Sequence, residues 1–331
     1  MVPVIYLETG STDPAYNLAF EEYVLTNRRE GSILILWQNH NAVIVGRNQN
    51  AAEEINQEFV AAHNISVVRR NTGGGAVYHD LGNLNYSFIT DAGAPENRSA
   101  AVFTAPVVKA LRGLGLVAEA SGRNDILVSG HKVSGTAQRL LKGRILHHGT
   151  LLFDSDPDIL AGALNPDPTK FQSKSVKSVR SRVGNIRSFL PSDMTMDAFW
   201  AYLKIALSEN CIVPGALSSE ELVAVAALKA EKYDTWQWNF GKSPKFQMCS
   251  KHRWPAGLLE LHLSVSEGRI SGLEILGDFL ATTELAPLTD ALMGCLYAPE
   301  AIGSVLDGFS LQDCLGGITK EEFLKTVFLN D

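Results

Sequence analysis

Residues 69–85 read Arg-Arg-Asn-Thr-Gly-Gly-Gly-Ala-Val-Tyr-His-Asp-Leu-Gly-Asn-Leu-Asn. Short apolar runs at 65–68 and 86–89 flank this string and read as β-strands, which places three consecutive glycines in a turn or tight ribbon between strands. Glycine has no Cβ, so the backbone there can approach a ligand closely and take a positive φ. Bracketed by Arg70 and His79, the triplet suggests a backbone cradle for an anion. A glycine triplet alone is more often a flexible turn. This one has neither the P-loop ending in Gly-Lys-Ser/Thr nor the dinucleotide fingerprint with its following helix.

The rest of the composition narrows the class. A chain of 331 residues favours two domains of unequal length. A formal net charge of −7 argues against a nucleic-acid surface as the main function. The four cysteines (Cys211, Cys249, Cys295, Cys314) fall late and lack C-x-x-C spacing. They read as reduced thiols rather than a disulfide frame or zinc site. With no basic leader and no 18-residue apolar segment, the expectation is a cytoplasmic protein without a membrane span.

Along the chain, Asp13-Pro14 is a helix-start signal. Runs at 33–37 and 42–45 read as strands joined by a turn at 38–41, followed by a helix over about 52–62. A helix is expected at 102–114, then a hairpin with its tip at Ser129-Gly130, between strands at 126–128 and 132–137. Helical patterns cover 194–210 and 218–233. Trp236 and Trp238 alternate as in a strand or anchor a loop, and both read as packing. The domains are then 1–245, a linker at 246–255, and 256–331. The last of these carries a hairpin at 258–265 and 269–279, with helices near 286–296 and 320–328. The expected class is α+β.

The hairpin begins a second motif, Gly130-His131-Lys132-Val133-Ser134-Gly135-Thr136-Ala137. A lysine at a hairpin edge is usually a solvated charge that discourages edge pairing. Asn124 and Asp125 precede it, and Asp125 in such a place commonly caps a turn. His147 and His148 are neighbours on a strand and point to opposite faces, so they do not form a metal pair. Residues 169–187 hold Lys170, Lys174, Lys177, Arg180, Arg182 and Arg187 without an acid, a local excess of positive charge in an acidic chain.

Both strings, with the run Lys-Ser-Val-Lys-Ser-Val-Arg-Ser-Arg-Val, resemble those of the lipoate–protein ligase A family. Departures are mild: Asn71-Thr72 stand where small serines are usual, and Tyr78 where phenylalanine is. The resemblance implies a mixed-sheet catalytic domain of the biotin/lipoate ligase type with a small α+β accessory domain. It implies ATP-dependent activation of free lipoate (or octanoate) as lipoyl-AMP, then transfer to one lysine of a lipoyl-carrier domain. Those carriers are 2-oxoacid dehydrogenase E2 subunits and the glycine cleavage H protein. Lys132 is implied as the catalytic ammonium between carboxylate and α-phosphate. The nucleotide would meet Arg70, Gly75, Ala76, Val77, Tyr78, Asn83, Asn124, Asp125 and Lys132, with Mg²⁺ on Asp125. Lipoate would meet Trp37, Arg70, Gly74, Gly75, His79, Lys132, His148 and Gly149, with Trp37 closing the far end of the acyl pocket. Lys174, Lys177, Arg180 and Arg182 would cover the adenylate. A monomer with no tightly bound cofactor, no nucleic acid and no membrane is expected. A hinge near 245–255 would admit the carrier. The rivals are an acyl-carrier-dependent octanoyl or lipoyl transferase using a cysteine, and a non-catalytic lipoate-binding module. The biotin ligase string Gly-Arg-Gly-Arg is absent.

Overall fold

The computed structural model describes residues 3–49, 51–94, 98–122, 124–164, 183–209, 211–240, 248–266 and 268–328. Its strands, in chain order, are β1 (Val4–Glu8), β2 (Ser32–Trp37), β3 (Ala42–Val45), β4 (Ser66–Arg69), β5 (Val77–His79), β6 (Asn83–Asp91), β7 (Ala118–Ser121), β8 (Asp125–Val128), β9 (His131–Leu141), β10 (Arg144–Leu152), β11 (Ile212–Pro214), β12 (Met248–Trp254), β13 (Gly257–Ser266) and β14 (Arg269–Gly277). They form a mixed sheet ordered β11-β1-β2-β6-β10-β9-β8-β7, a small sheet β4-β3-β5, and an antiparallel sheet β12-β13-β14.

Strand β2 (Ser-Ile-Leu-Ile-Leu-Trp) is apolar at every position after Ser32 because both faces of the large sheet are covered. Leu34 and Leu36 join Leu84 and Tyr86 against the helices Ala100–Gly113 and Met196–Leu207. Ile33, Ile35 and Trp37 alternate to the other face, under the helix Pro14–Asn27. That helix starts where Asp13 accepts from Ala15 N at 2.9 Å and Tyr16 N at 3.4 Å. The last sheet has its own core: Leu259, Leu261 and Leu263 of β13 pack with Phe279, Leu288, Ile302 and Phe323. Among the described residues no helix is long and apolar enough to cross a membrane.

Three expectations change, and the turn expected at 38–41 takes a form the sequence left open. β2 and β3 lie in different sheets, because Asn17 Nδ2 holds the Gln38 carbonyl (2.7 Å) and Asn39 Oδ1 (2.9 Å) and directs the chain away from a hairpin. The helix expected over 52–62 is two, Ala51–Glu54 and Gln57–Ala62, since the Asn56 side chain accepts from Phe59 N and caps the second. Trp236–Asn239 is a helical turn begun by Thr235. Trp238 is anchored there by Nε1 donating to the Arg69 carbonyl at 2.8 Å, while Trp236 is exposed. The expected linker at 246–255 is mostly strand β12, paired along its whole length with β13. Residues 241–247 lie outside the described residues.

The small domain docks onto the glycine ribbon. Gly74 N donates to the Phe279 carbonyl (3.1 Å), Gly277 N to the Asn48 carbonyl (2.7 Å) and Leu140 N to the Thr282 carbonyl (2.6 Å). Glu284 pairs with both Arg47 and Arg139.

Candidate functional site

The ribbon, β5, the start of β9 and the floor strands β6 and β10 enclose a cleft of about 450 Å³. Trp37, Arg70, Gly74, Gly75, Ala76, Val77, His79, Asn124, Asp125, Lys132, His148 and Gly149 all line it. Tyr78 does not: strand alternation turns it away, and its hydroxyl donates to Asn41 Oδ1 at 3.0 Å. Asn83 lies behind the wall, where its Nδ2 donates to Asn85 Oδ1 at 3.0 Å. Lys174, Lys177, Arg180 and Arg182 lie outside the described residues.

Lys132 is the second residue of β9, just after the two-residue turn Ser129-Gly130, whose φ values of 49° and 81° suit a primed hairpin turn. The turn delivers its amine to the cleft, where Nζ sits 2.8 Å from Asp125 Oδ1. Both side chains are partly exposed, so the pair contributes little stability, at most about 1 kcal/mol. Its use is positional: it holds an ammonium at the cleft mouth. Gly135 lies beside it: a Cβ built there would sit in ordinary contact with the Lys132 side chain, 3.5 Å from Nζ.

The two motif arginines brace the ribbon from within. Arg70 donates from Nε to Thr72 Oγ1 (3.0 Å), from Nη1 to the Ile44 carbonyl (3.1 Å) and from Nη2 to the carbonyls of Gly73 (2.6 Å) and Gly75 (2.8 Å). Of its five N–H groups, one on Nη1 remains for a ligand. Arg69 holds the carbonyls of Gly46, Arg47, Gln49, Trp238 and Asn239 in the same way. Burial pushes each guanidinium down to about 10, and both stay charged at neutral pH.

A buried relay runs from Trp37 to this brace. Trp37 Nε1 donates to Ser87 Oγ (2.9 Å), and Ser87 Oγ to Glu21 Oε1 (2.6 Å). Glu21 accepts from His148 Nδ1 at 2.8 Å, and His148 Nε2 lies 2.8 Å from Thr72 Oγ1, which already accepts from Arg70. The donor count closes with the Thr72 hydroxyl donating to Nε2 and Nδ1–H donating to Glu21. Sequence reasoning missed Glu21. Only its place two turns along a capped helix, facing inward, hinted at it.

His79 is buried and neutral, its pKa pushed down to about 3 by burial and then by the Arg70 charge. Asn17 Nδ2 donates to Asn39 Oδ1, so Asn39 Nδ2 is the donor to His79 Nδ1 at 3.0 Å. The proton therefore sits on Nε2, which is buried without a hydrogen-bond partner among the described residues. Asn85 offers a second such donor: Oδ1 accepts from Asn83, leaving buried Nδ2 unpartnered. Buried donors of this kind call for a ligand acceptor.

Arg253 and Asp278 of the small domain also line the cleft, with Arg253 Nη2 at 3.2 Å from Asp278 Oδ2. They are the residues no local pattern revealed, since docking brings them in. Leu18 and Ile44 complete an apolar wall with Trp37. None of the four cysteines lines the cleft.

Comparison with known proteins bears on this arrangement. Residues 13–208 match the lipoyl protein ligase A/B catalytic domain, and residues 243–327 the bacterial lipoate protein ligase C-terminus. The chain is similar to lipoate-protein ligase LplJ of Bacillus subtilis, 43% identical over 321 residues, covering 96% of this chain and 97% of the relative. Among solved structures, LipL1 of P. falciparum in complex with lipoate superposes with a TM-score of 0.78 at 27% identity, covering 93% of this chain and 94% of that one. A structure from an archaeal lipoylation system, described as a bi-partite lipoate protein ligase and its E2 lipoyl domain from Thermoplasma acidophilum, covers 75% of this chain and 99% of that one (TM-score 0.65, 32% identity). A lipoate-protein ligase A bound with ATP covers 72% and 98% (TM-score 0.62, 29% identity).

Proposed function

The chain belongs to the lipoate–protein ligase family, and from that premise we propose that it joins free lipoate to a carrier-protein lysine in two steps, through lipoyl-AMP. One observation carries the reading: the Lys132 ammonium, steered by Asp125, shares a single cleft with the glycine ribbon and an apolar wall ending at Trp37.

A carboxylate is a poor acyl donor, because an oxide-like group must depart from it. In the first step a lipoate carboxylate oxygen forms a bond to the α-phosphorus of ATP as the α–β bridging bond breaks and pyrophosphate leaves. Lys132 touches both partners, a carboxylate oxygen and an α-phosphate oxygen, and offsets charge that grows as they meet. The backbone at 74–77 lies against the nucleotide. Arg70, occupied with the Gly73 and Gly75 carbonyls, keeps that ribbon in one shape and offers its remaining N–H. The acyl tail lies along Leu18, Ile44 and Trp37, where water is excluded.

In the second step the neutral ε-amine of a carrier lysine bonds to the acyl carbon, AMP departs with the electrons of the C–O bond, and the nitrogen releases a proton to solvent to leave the amide. Lys132 then neutralises the leaving phosphate. Lys174, Lys177, Arg180 and Arg182 are assigned to covering the adenylate and drawing in an acidic carrier. The carriers of this reading are lipoyl domains of 2-oxoacid dehydrogenase E2 subunits and the glycine cleavage H protein. ATP brings Mg²⁺. Asp125 suits it, as a partly exposed carboxylate at the cleft mouth that meets Lys132 through Oδ1, whereas both oxygens of Asp278 are tied to Arg253 and Leu258 N. When bound, the ion neutralises phosphate charge.

The test separates the two steps. Lys132→Ala should cut lipoate-dependent exchange of pyrophosphate into ATP by at least about 100-fold, the scale of losing one preorganised charge. It should also slow transfer from preformed lipoyl-AMP. Exchange at the wild-type rate would end the proposal. A transferase that takes acyl groups from a carrier would make product without ATP, and a cysteine nucleophile for it is missing from the cleft.

A further inference from the structure

We propose that the small domain holds a divalent metal of the zinc class on Cys249, Glu260 and His262. Strand register makes the site. Cys249 stands opposite His262 across β12–β13, and His262 stands opposite Glu274 across β13–β14. Glu260 is two residues before His262, so all four side chains leave one face of the sheet, while Leu259, Leu261 and Leu263 fill the core behind it.

The three donor atoms lie within 4.8 Å of one another. His262 Nε2 is 2.6 Å from Glu260 Oε1, and Cys249 Sγ is 3.9 Å from the same oxygen. Tetrahedral zinc, with bonds of about 2.0–2.3 Å, sets its donors roughly 3.3–3.6 Å apart. Reaching that spacing takes shifts of about 1 Å or less, and Cys249 at the surface is able to make them.

The surroundings suit a metal too. Behind His262, Glu274 Oε2 is 3.5 Å from Nδ1, and this buried oxygen makes no hydrogen bond among the described residues. With that gap closed, an Nδ1–H donated to Glu274 would fix the tautomer that presents a lone pair on Nε2, the carboxylate–histidine arrangement found behind metal ligands. Lys251 Nζ holds the other oxygen of Glu260 at 3.1 Å and leaves Oε1 facing the cluster. That ammonium opposes a cation, but a thiolate and two carboxylates outnumber it. The mixed S, N, O set favours zinc over magnesium or calcium, with water in the fourth position on the exposed side. Binding expels the thiol proton and ties together the strands whose ends carry Arg253 and Asp278 to the cleft. None of this depends on the proposed reaction.

Cobalt(II) reads the site directly. The full chain, stripped by chelator and titrated with Co²⁺ alone, should take up one equivalent with a thiolate-to-cobalt charge-transfer band and the visible bands of a four-coordinate ion. Zn²⁺ should displace it. Cys249→Ser should abolish the charge-transfer band, Cys295→Ser should keep it, and Glu274→Gln should weaken binding by about 10–100-fold. Zn²⁺ should raise the melting temperature of the wild-type chain but not of Cys249→Ser. No charge-transfer band, or one that survives in Cys249→Ser, overturns the site.

Discussion

His147 and His148 leave the same strand toward opposite faces, and their surroundings make them different chemical groups. His148 is tied at both nitrogens into the Glu21–Thr72 relay. His147 is sealed against the Phe103 ring, with centroids 5.0 Å apart, and neither nitrogen has a partner among the described residues. Burial, and then the neighbouring His148, pushes its pKa down to about 3. The unfolded chain takes up this proton near 6.5 and the folded one does not, so stability is intact above 6.5 and is lost as pH falls toward 3. Each such group costs about 2 kcal/mol by pH 5. His147→Phe should therefore flatten the decline in urea-measured stability between pH 7 and 5 by about that amount. An unchanged slope would show that His147 is not the buried neutral group described. His79, held down to about 3 in the same way, should keep the remaining slope.

At the scale of elements, the ribbon explains its own glycines. Gly74 has φ +88°, where a side chain is strained. Gly73 is constrained differently: a Cβ would lie 2.7 Å from the Phe279 carbonyl oxygen and 2.8 Å from Ala281 N. Those are backbone atoms of the small domain and cannot rotate aside. Gly73→Ala should push the two apart, lowering stability by about 1–3 kcal/mol, the usual cost of overpacking. Because Gly74 N also donates to Phe279, the ribbon should lose its shape and ATP–pyrophosphate exchange should fall. A variant with wild-type stability and exchange would mean that the small domain does not bear on the ribbon.

For the whole molecule, Glu284 is the joint. It reaches Arg47 and Arg139, and Arg139 is 2% exposed with Nε unpartnered among the described residues. Glu284→Gln leaves a buried guanidinium facing a second cation, at a cost of about 2 kcal/mol after allowing for the exposure of Glu284. Since the small domain has its own core, calorimetry should resolve two transitions in Glu284→Gln where the native chain melts in closer concert. Identical traces would place the coupling elsewhere.

The local order of the chain belongs to its sequence. Asp13-Pro14 starts a helix and Ser129-Gly130 turns a hairpin, because caps and positive-φ turns are decided within four residues. The glycine and lysine strings likewise lead to the cleft, since each is a short rigid piece. Tertiary structure decided what depends on partners distant along the chain. It sent β2 and β3 to different sheets, made a strand of 248–254, turned Arg70 onto the Gly73 and Gly75 carbonyls, and brought Arg253 and Asp278 from the second domain. Hydrogen-bond partners and burial are properties of the packed chain, and no residue's neighbours in sequence determine them.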